Sequence, residues 1–310
     1  MDTAMHSAPL LEVEHLTTYR YAAPVDLAQH LAYLRPRDDA TQQVQDFDLQ
    51  IEPAPLQQRS EPDRLGNPRT CFTVSAPHRE LRVRARSRVR VRGDEAFDLA
   101  ATQAWEAARD RLRYVAGAPF EPAAEFAFAS PFVPVLPALP ALRELAQTSF
   151  APGVPVAVAA VDLMARIHAG FAYRSASTEV DTPLAQVLTK REGVCQDFAH
   201  VMIGALRSVG LAARYISGYL LTAPPEAGAS SAPMLGADAS HAWVSVWCPM
   251  ADGSPSRWLK LDPTNNVLPR TGHVRLAIGR DYSDVTPLRG VIRGGGEHQL
   301  EVRVRTLRLE

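Results

Sequence analysis

Residues 81–92, LRVRARSRVRVR, alternate without a break, with Leu81, Val83, Ala85, Ser87, Val89 and Val91 set against Arg82, Arg84, Arg86, Arg88, Arg90 and Arg92. Successive side chains of a strand point to opposite faces, so this period fits a strand with one packed face and one wet face, and fits no helix. A chain holding such a segment must build a sheet around it. Runs of β-branched and aromatic residues at 10–22, 43–52 and 68–75 supply strands to pair with it, punctuated by Pro24, Pro53, Pro55, Pro62, Gly66 and Pro77. Several strands with no helix between them predict a β-sandwich-like or barrel domain over residues 1–100.

The pattern changes after Gly93. Residues 101–113, ATQAWEAARDRLR, have a helical composition, and Pro119, Pro122, Pro131, Pro134, Pro137 and Pro140 follow, so 101–153 is expected to be a helical, proline-rich linker. Over 155–171, Val158, Val161, Leu163, Met164, Ile167, His168 and Phe171 recur mostly at three- and four-residue spacings, which predicts a helix. Thr182-Pro183 opens a short helix through Leu188. A helix starting at Cys195 is followed by strands at 211–222, 240–248, 257–262, 273–279 and 298–309, so residues 154–310 should form an α+β unit. The small, Pro- and Gly-rich stretch 223–239 is expected to be a mobile surface loop.

Lys plus Arg total 33 and Asp plus Glu 34, which leaves no global field that would select nucleic acid or an anionic membrane as partner. The arginine face of 82–92 is expected to be solvated or paired with carboxylates on neighbouring strands, its alternative being a docking surface for an anionic partner. Cys71, Cys195 and Cys248 are widely spaced and odd in number, which argues against a disulfide framework or a zinc knuckle. Cys71 and Cys248 sit in strand patterns as core or half-buried thiols. The N-terminus lacks a secretory pattern, and no window approaches the roughly 18 apolar residues of a membrane helix. A cytoplasmic setting without membrane partners is therefore expected.

Cys195 carries the chemistry. In REGVCQDFAHVMIGALRSVG, Phe198, Val201, Met202, Ala205, Leu206 and Val209 form a helical stripe between Gly193 and Gly210, which places Cys195 at the first turn. Unpaired N–H groups and the positive end of the dipole favour a thiolate there and can stabilise an oxyanion. The base that such a nucleophile needs is not His200. Five residues along a helix turn it about 140° away from Cys195 with roughly 7.5 Å of rise. Cys195, His200 and His241 have the residue types of a metal site but not its spacing, and neither metal nor cofactor is expected.

His241 opens the strand HAWVSVWC, and Asp262 ends RWLKLD. An antiparallel hairpin with the loop 249–254 and its Asp252-Gly253 turn would pair Cys248 with Pro255, which sets His241 opposite Asp262 on one face. A carboxylate there can orient the imidazole as the third member of a triad. Trp243 is a candidate substrate wall or a core residue. Asp197 suits the helix dipole, Gln196 is close enough to line the site, and His200 is expected to be a satisfied buried histidine.

GVCQDFAHVMIGALRSVGLAARYISGYL, SHAWVSVW and WLKLDPTNN resemble the three signature blocks of the transglutaminase-like superfamily, and GVCQDFAH is close to its bacterial branch, whose members carry a β-rich N-terminal region. The resemblance implies a papain-like core, a helix bearing Cys195 packed on an antiparallel sheet bearing His241 and Asp262. It also implies thioester formation with release of an amine, then transfer to water or to another amine. The animal enzymes use a tryptophan upstream of the cysteine at the oxyanion, yet no Trp lies between 106 and 242, and Tyr173 is the substitute proposed from sequence. The calcium sites of the animal enzymes have no recognisable counterpart. The expected activity is a cysteine hydrolase of amide, peptide or isopeptide bonds, with a peptide or protein substrate. Its alternatives are protein-glutamine acyl transfer to amines and a binding module with a vestigial triad.

Overall fold

Strand β1 (Leu10–Ala32) runs ten residues past its expected end and organises the N-terminal half. The computed structural model describes residues 8–93, 96–134, 139–175, 178–222, 234–236 and 240–309, so most of the 223–239 stretch expected to be a mobile loop lies outside the described residues. Strands β2 (Gln42–Glu52), β3 (Gln57–Pro62), β4 (Pro68–Val74) and β5 (His78–Val91) follow β1. The alternation of 81–92 is realised as β5. Every apolar member from Leu81 to Val91 is buried, together with Ser87, and the arginines between them point outward. Arg84 meets Glu14 and Arg88 meets Glu12 on β1, so part of that face is paired across strands.

The N-terminal sheet has seven strands, and two of them come from the far end of the chain. β1 pairs with β5 and β13 (His298–Arg308) over its first half, and with β4 and β12 (Leu288–Gly294) over its second. The register slips between Arg20 and Val25, where Pro24 interrupts the ladder as a residue with no N–H must. Ala28, Phe72 and Val74 from one half share an apolar cluster with Leu81, Val83 and Ile51 from the other. The two halves thus share an apolar core in the sandwich-like way expected, but β12 and β13 complete the sheet instead of extending the second unit.

The middle of the chain is more than a linker. It holds α1 (Trp105–Arg111), a 3-10 turn at Pro122–Ala127 and α2 (Pro140–Gln147), and it buries Ala108, Phe126 and Leu142 in the main core. The second unit contains α3 (Val156–Gly170), β6 (Ala172–Tyr173), α4 (Leu184–Lys190), β7 (Glu192–Gly193), α5 (Cys195–Ser208), β8 (Ala213–Leu220), β9 (His241–Cys248), β10 (Arg257–Leu261), β11 (His273–Gly279) and α6 (Tyr282–Val285). Its antiparallel sheet runs in the order β10-β9-β8-β11, with α5 against β8 and β9. The architecture is α+β, a helix packed on an antiparallel sheet.

Val201, Met202, Ile203, Ala205 and Leu206 of α5 are fully buried, and each of the larger ones contributes roughly 1.5–3 kcal/mol. That burial holds the first turn of α5, and Cys195 with it, at the end of the sheet. The two units are locked by buried polar contacts. Gln42 donates to the Arg275 carbonyl at 2.9 Å and accepts from its N–H at 2.8 Å, and Asn67 does the same with Ile278. Among the described residues no helix is long and apolar enough to cross a membrane.

Candidate active site

Cys195 is the first residue of α5, and Val194 before it is extended. The Asp197 carboxylate folds back to accept from the Val194 N–H at 2.8 Å and the Thr178 hydroxyl at 2.6 Å. Burial pushes the Asp197 carboxyl up, and these two bonds oppose the shift. Asp197 and Phe198 donate to the Val194 carbonyl, whereas the N–H groups of Cys195 and Gln196, in the first turn, have no carbonyl a turn behind them. Cys195 is 9% exposed and lines a pocket of about 320 Å³ shared with Tyr173, Gln196, Tyr215 and His241. A larger groove of about 1040 Å³ on the N-terminal sheet, around Leu31, Cys71 and Val291, contains none of these residues.

His241, the first residue of β9, is closed to solvent, and its Nε2 lies 2.9 Å from Asp262 Oδ2. With Nε2 engaged, Nδ1 is the nitrogen left for the Cys195 side. It makes no hydrogen bond of standard geometry, and the thiol leans toward the Ser240 carbonyl at 3.9 Å, yet the sulfur is near enough to act on the imidazole charge. Burial alone would lower His241. The Asp262 carboxylate, with the Cys195 sulfur, carries it instead up to about 10. Burial works to raise Asp262, but the charge of His241 and the hydrogen bonds around the carboxylate hold it far below the usual range.

Three further residues fix that carboxylate. Asn265 Nδ2 donates to Oδ2 at 2.9 Å, His273 Nε2 lies 3.2 Å from the same oxygen, and the Thr264 and Asn265 N–H groups donate to Oδ1 at 3.0 and 3.2 Å. The backbone helps too, because Asp262 and Val267 exchange N–H···O bonds around Asn266, which is in the left-handed region at φ 52°. Asn265 also receives the Leu235 N–H at 2.8 Å, tying residues 234–236 to the rim of the pocket. Sequence reasoning missed His273 and Asn265 as supports of the site. Asn265 lies within the quoted block WLKLDPTNN, while His273 reaches the site only because β11 pairs with β8.

The hairpin register differs from the expectation. Cys248 pairs with Arg257, not Pro255, so the loop is two residues longer and Asp262 lies one step past the last paired position, Leu261 opposite Val244. Continued by one step, this register would face Asp262 to Trp243 rather than His241. Gln196 lines the pocket with its amide given to the Val180 carbonyl at 2.9 Å, and Tyr173 lines it as well. Trp243 does not. It is fully buried, its ring stacks 6.0 Å from His241, and it forms a floor for the imidazole instead of a substrate wall. His200 is a buried histidine that accepts the Tyr282 N–H at 3.3 Å, and burial pushes it down to about 4. Cys248 is enclosed as expected, and burial pushes its thiol up to about 12. Cys71, expected in or half in the core, stands on the exposed side of β4 because that face of the strand is left uncovered. Among the described residues no three His, Cys, Asp or Glu side chains are placed so that they could hold a metal ion.

Residues 11–90 match the model of the bacterial transglutaminase-like N-terminal region, and residues 143–263, which span Cys195, His241 and Asp262, match that of the transglutaminase-like superfamily. The chain belongs to this superfamily. An uncharacterized protein of Mycobacterium tuberculosis is 40% identical to this transglutaminase-like chain over 93% of it and 89% of the relative, and one of Mycobacterium leprae is 30% identical over 96% and 99%. A crystal structure from Cytophaga hutchinsonii, of a protein proposed to be a cysteine protease, shares the fold with a TM-score of 0.71 at 19% identity, covering 98% of this chain and 92% of that one. Membership of the superfamily supports, in general terms, a cysteine-dependent enzyme.

Proposed function

We propose that this transglutaminase-like protein is a cysteine hydrolase of amide, peptide or isopeptide bonds, working through a thioester on Cys195 with His241 and Asp262 as its partners. The observation that carries the reading is the buried His241–Asp262 pair, whose free imidazole nitrogen is left for the pocket that holds Cys195. Asp262 fixes the ring through Nε2 and favours the imidazolium, so a positive charge stands beside the sulfur as it attacks. The carbonyl oxygen becomes an oxyanion next to the N–H groups at the start of α5. On collapse the C–N bond breaks, and the Nδ1 proton passes to the leaving amine. Neutral His241 then takes a proton from water, which attacks the thioester and frees Cys195. A peptide or protein is the substrate in this reading, and the chemistry needs neither metal nor cofactor. Free thiols suit the reducing cytoplasm as its setting.

Water and amine compete for the same thioester, so the acceptor decides between hydrolase and acyltransferase. Mass spectrometry of a glutamine peptide incubated with a primary amine separates them. Deamidation or cleavage without amine incorporation is expected, and incorporation would make the protein a transferase.

A further inference from the structure

Tyr215, the third residue of β8, lines the same pocket as Cys195, and nothing above gives it a task. Its ring is held on two sides: Tyr282 stands edge-on with centroids 6.2 Å apart, and His200 packs at 5.3 Å. Only 2% of the residue is exposed, and its hydroxyl makes no hydrogen bond to any described residue. Buried tyrosine hydroxyls normally find a partner. This one is near enough to Cys195 for the sulfur's charge to act on it. Two other neutral donors of the pocket are already engaged. The Gln196 amide is spent on Val180, and the Tyr282 hydroxyl is held by Thr286. The partner that the Tyr215 hydroxyl lacks is one that a substrate would bring.

We propose that the Tyr215 hydroxyl is the second donor of the oxyanion hole, facing the substrate carbonyl oxygen together with the N–H groups at the start of α5. This rests on Cys195 acting as the acylated nucleophile. As the C–S bond forms, the C=O π pair moves onto oxygen, and Tyr215 donates a hydrogen bond to it without giving up its proton. On collapse the pair returns, the C–N bond breaks, and His241 supplies the proton to the amine. Burial, with the sulfur's charge in second place, pushes the Tyr215 hydroxyl well above its ordinary range, so it stays protonated as a donor throughout.

Two reactions of Cys195 test this, because only one of them passes through an oxyanion. Acylation by p-nitrophenyl acetate does, and is read as the burst of nitrophenolate after subtraction of Cys195→Ala. Alkylation by iodoacetamide is a displacement at saturated carbon, read by peptide mass spectrometry. Tyr215→Phe should slow the burst about 10²–10³-fold and leave the alkylation rate of Cys195 within about twofold, which also shows that the variant's site is intact. Equal burst rates in wild type and variant would overturn the assignment while leaving Cys195 as nucleophile. Alkylation falling in step with acylation would make Tyr215 a structural support instead. A wild-type protein with no burst above Cys195→Ala would remove both this assignment and the reading it rests on.

Discussion

His241 Nε2 and Asp262 Oδ2 meet at 2.9 Å with both side chains closed to solvent, although the β9–β10 register does not place the two residues opposite each other. Asp262 is a diagonal neighbour, about 7–8 Å away between backbones in such a ladder, and the lengths of the two side chains close the gap.

Replacing Asp262 by Asn removes the charge that holds His241 protonated while leaving its burial in place. The His241 titration should fall from about 10 to below its ordinary 6.5. Histidine NMR across pH 5–11 reads it directly. Activity should fall on the order of 10³–10⁴-fold, as for an orphaned base in other triads. A titration still near 10 would mean that Asp262 is not the source of the shift.

The same pair sets a stability window. His241 is raised in the fold, so its contribution is fully present below 6.5 and is lost as pH rises through about 10. Asp262 is depressed, so its contribution is present above 3.8 and is lost only as pH falls well below that. Thermal melts should show a plateau between about pH 5 and 6.5, then a decline that runs on to about pH 10 and is smaller in Asp262→Asn. An identical alkaline limb in both proteins would rule the pair out as its cause.

Much of this was legible in the sequence for a simple reason. Strand side chains repeat every two residues, so a register misjudged by two still keeps His241 and Asp262 on one face; an error of one would have separated them. The start of α5 was readable from its apolar stripe, and β5 from its alternation. What could not be read was long-range pairing. Nothing local in 288–308 says that these residues pair with β1, or that β11 beside β8 brings His273 to Asp262. Likewise the exposure of Cys71 depends on which face of β4 the rest of the fold leaves uncovered.

Asn265 joins Asp262 to residues 234–236. Asn265→Ala should cost about 1–3 kcal/mol, since it leaves a buried carboxylate one donor short. It should also lower the His241 titration by less than Asp262→Asn does. Urea unfolding and the same NMR titration check both, and an unchanged midpoint would mean that the contact is dispensable.

Gly218 lets two elements approach closely. A Cβ there would stand 2.2 Å from the Val274 carbonyl oxygen and 2.3 Å from the Trp243 ring, which floors His241. Gly218→Ala should therefore destabilise by about 1–3 kcal/mol and depress activity by displacing that floor. A variant with wild-type stability and turnover would show that Trp243 has room to move.

Arg88 and Glu12 pair in the open, with side chains 54% and 28% exposed, where such bridges contribute about 0–1 kcal/mol. Arg88→Ala should leave the melting temperature within a few degrees, and its small effect should vanish in high salt. A larger loss would mean that the arginine face does more than pair and solvate.

The central claim is that the His241 charge beside Cys195 makes this thiol the reactive one. Its most direct test is the rate of alkylation of each cysteine by iodoacetamide in the native protein at pH 6. Cys195 should react faster than the exposed Cys71, and His241→Ala should abolish that advantage. Cys195 reacting no faster than Cys71, or equally fast without His241, would contradict the account.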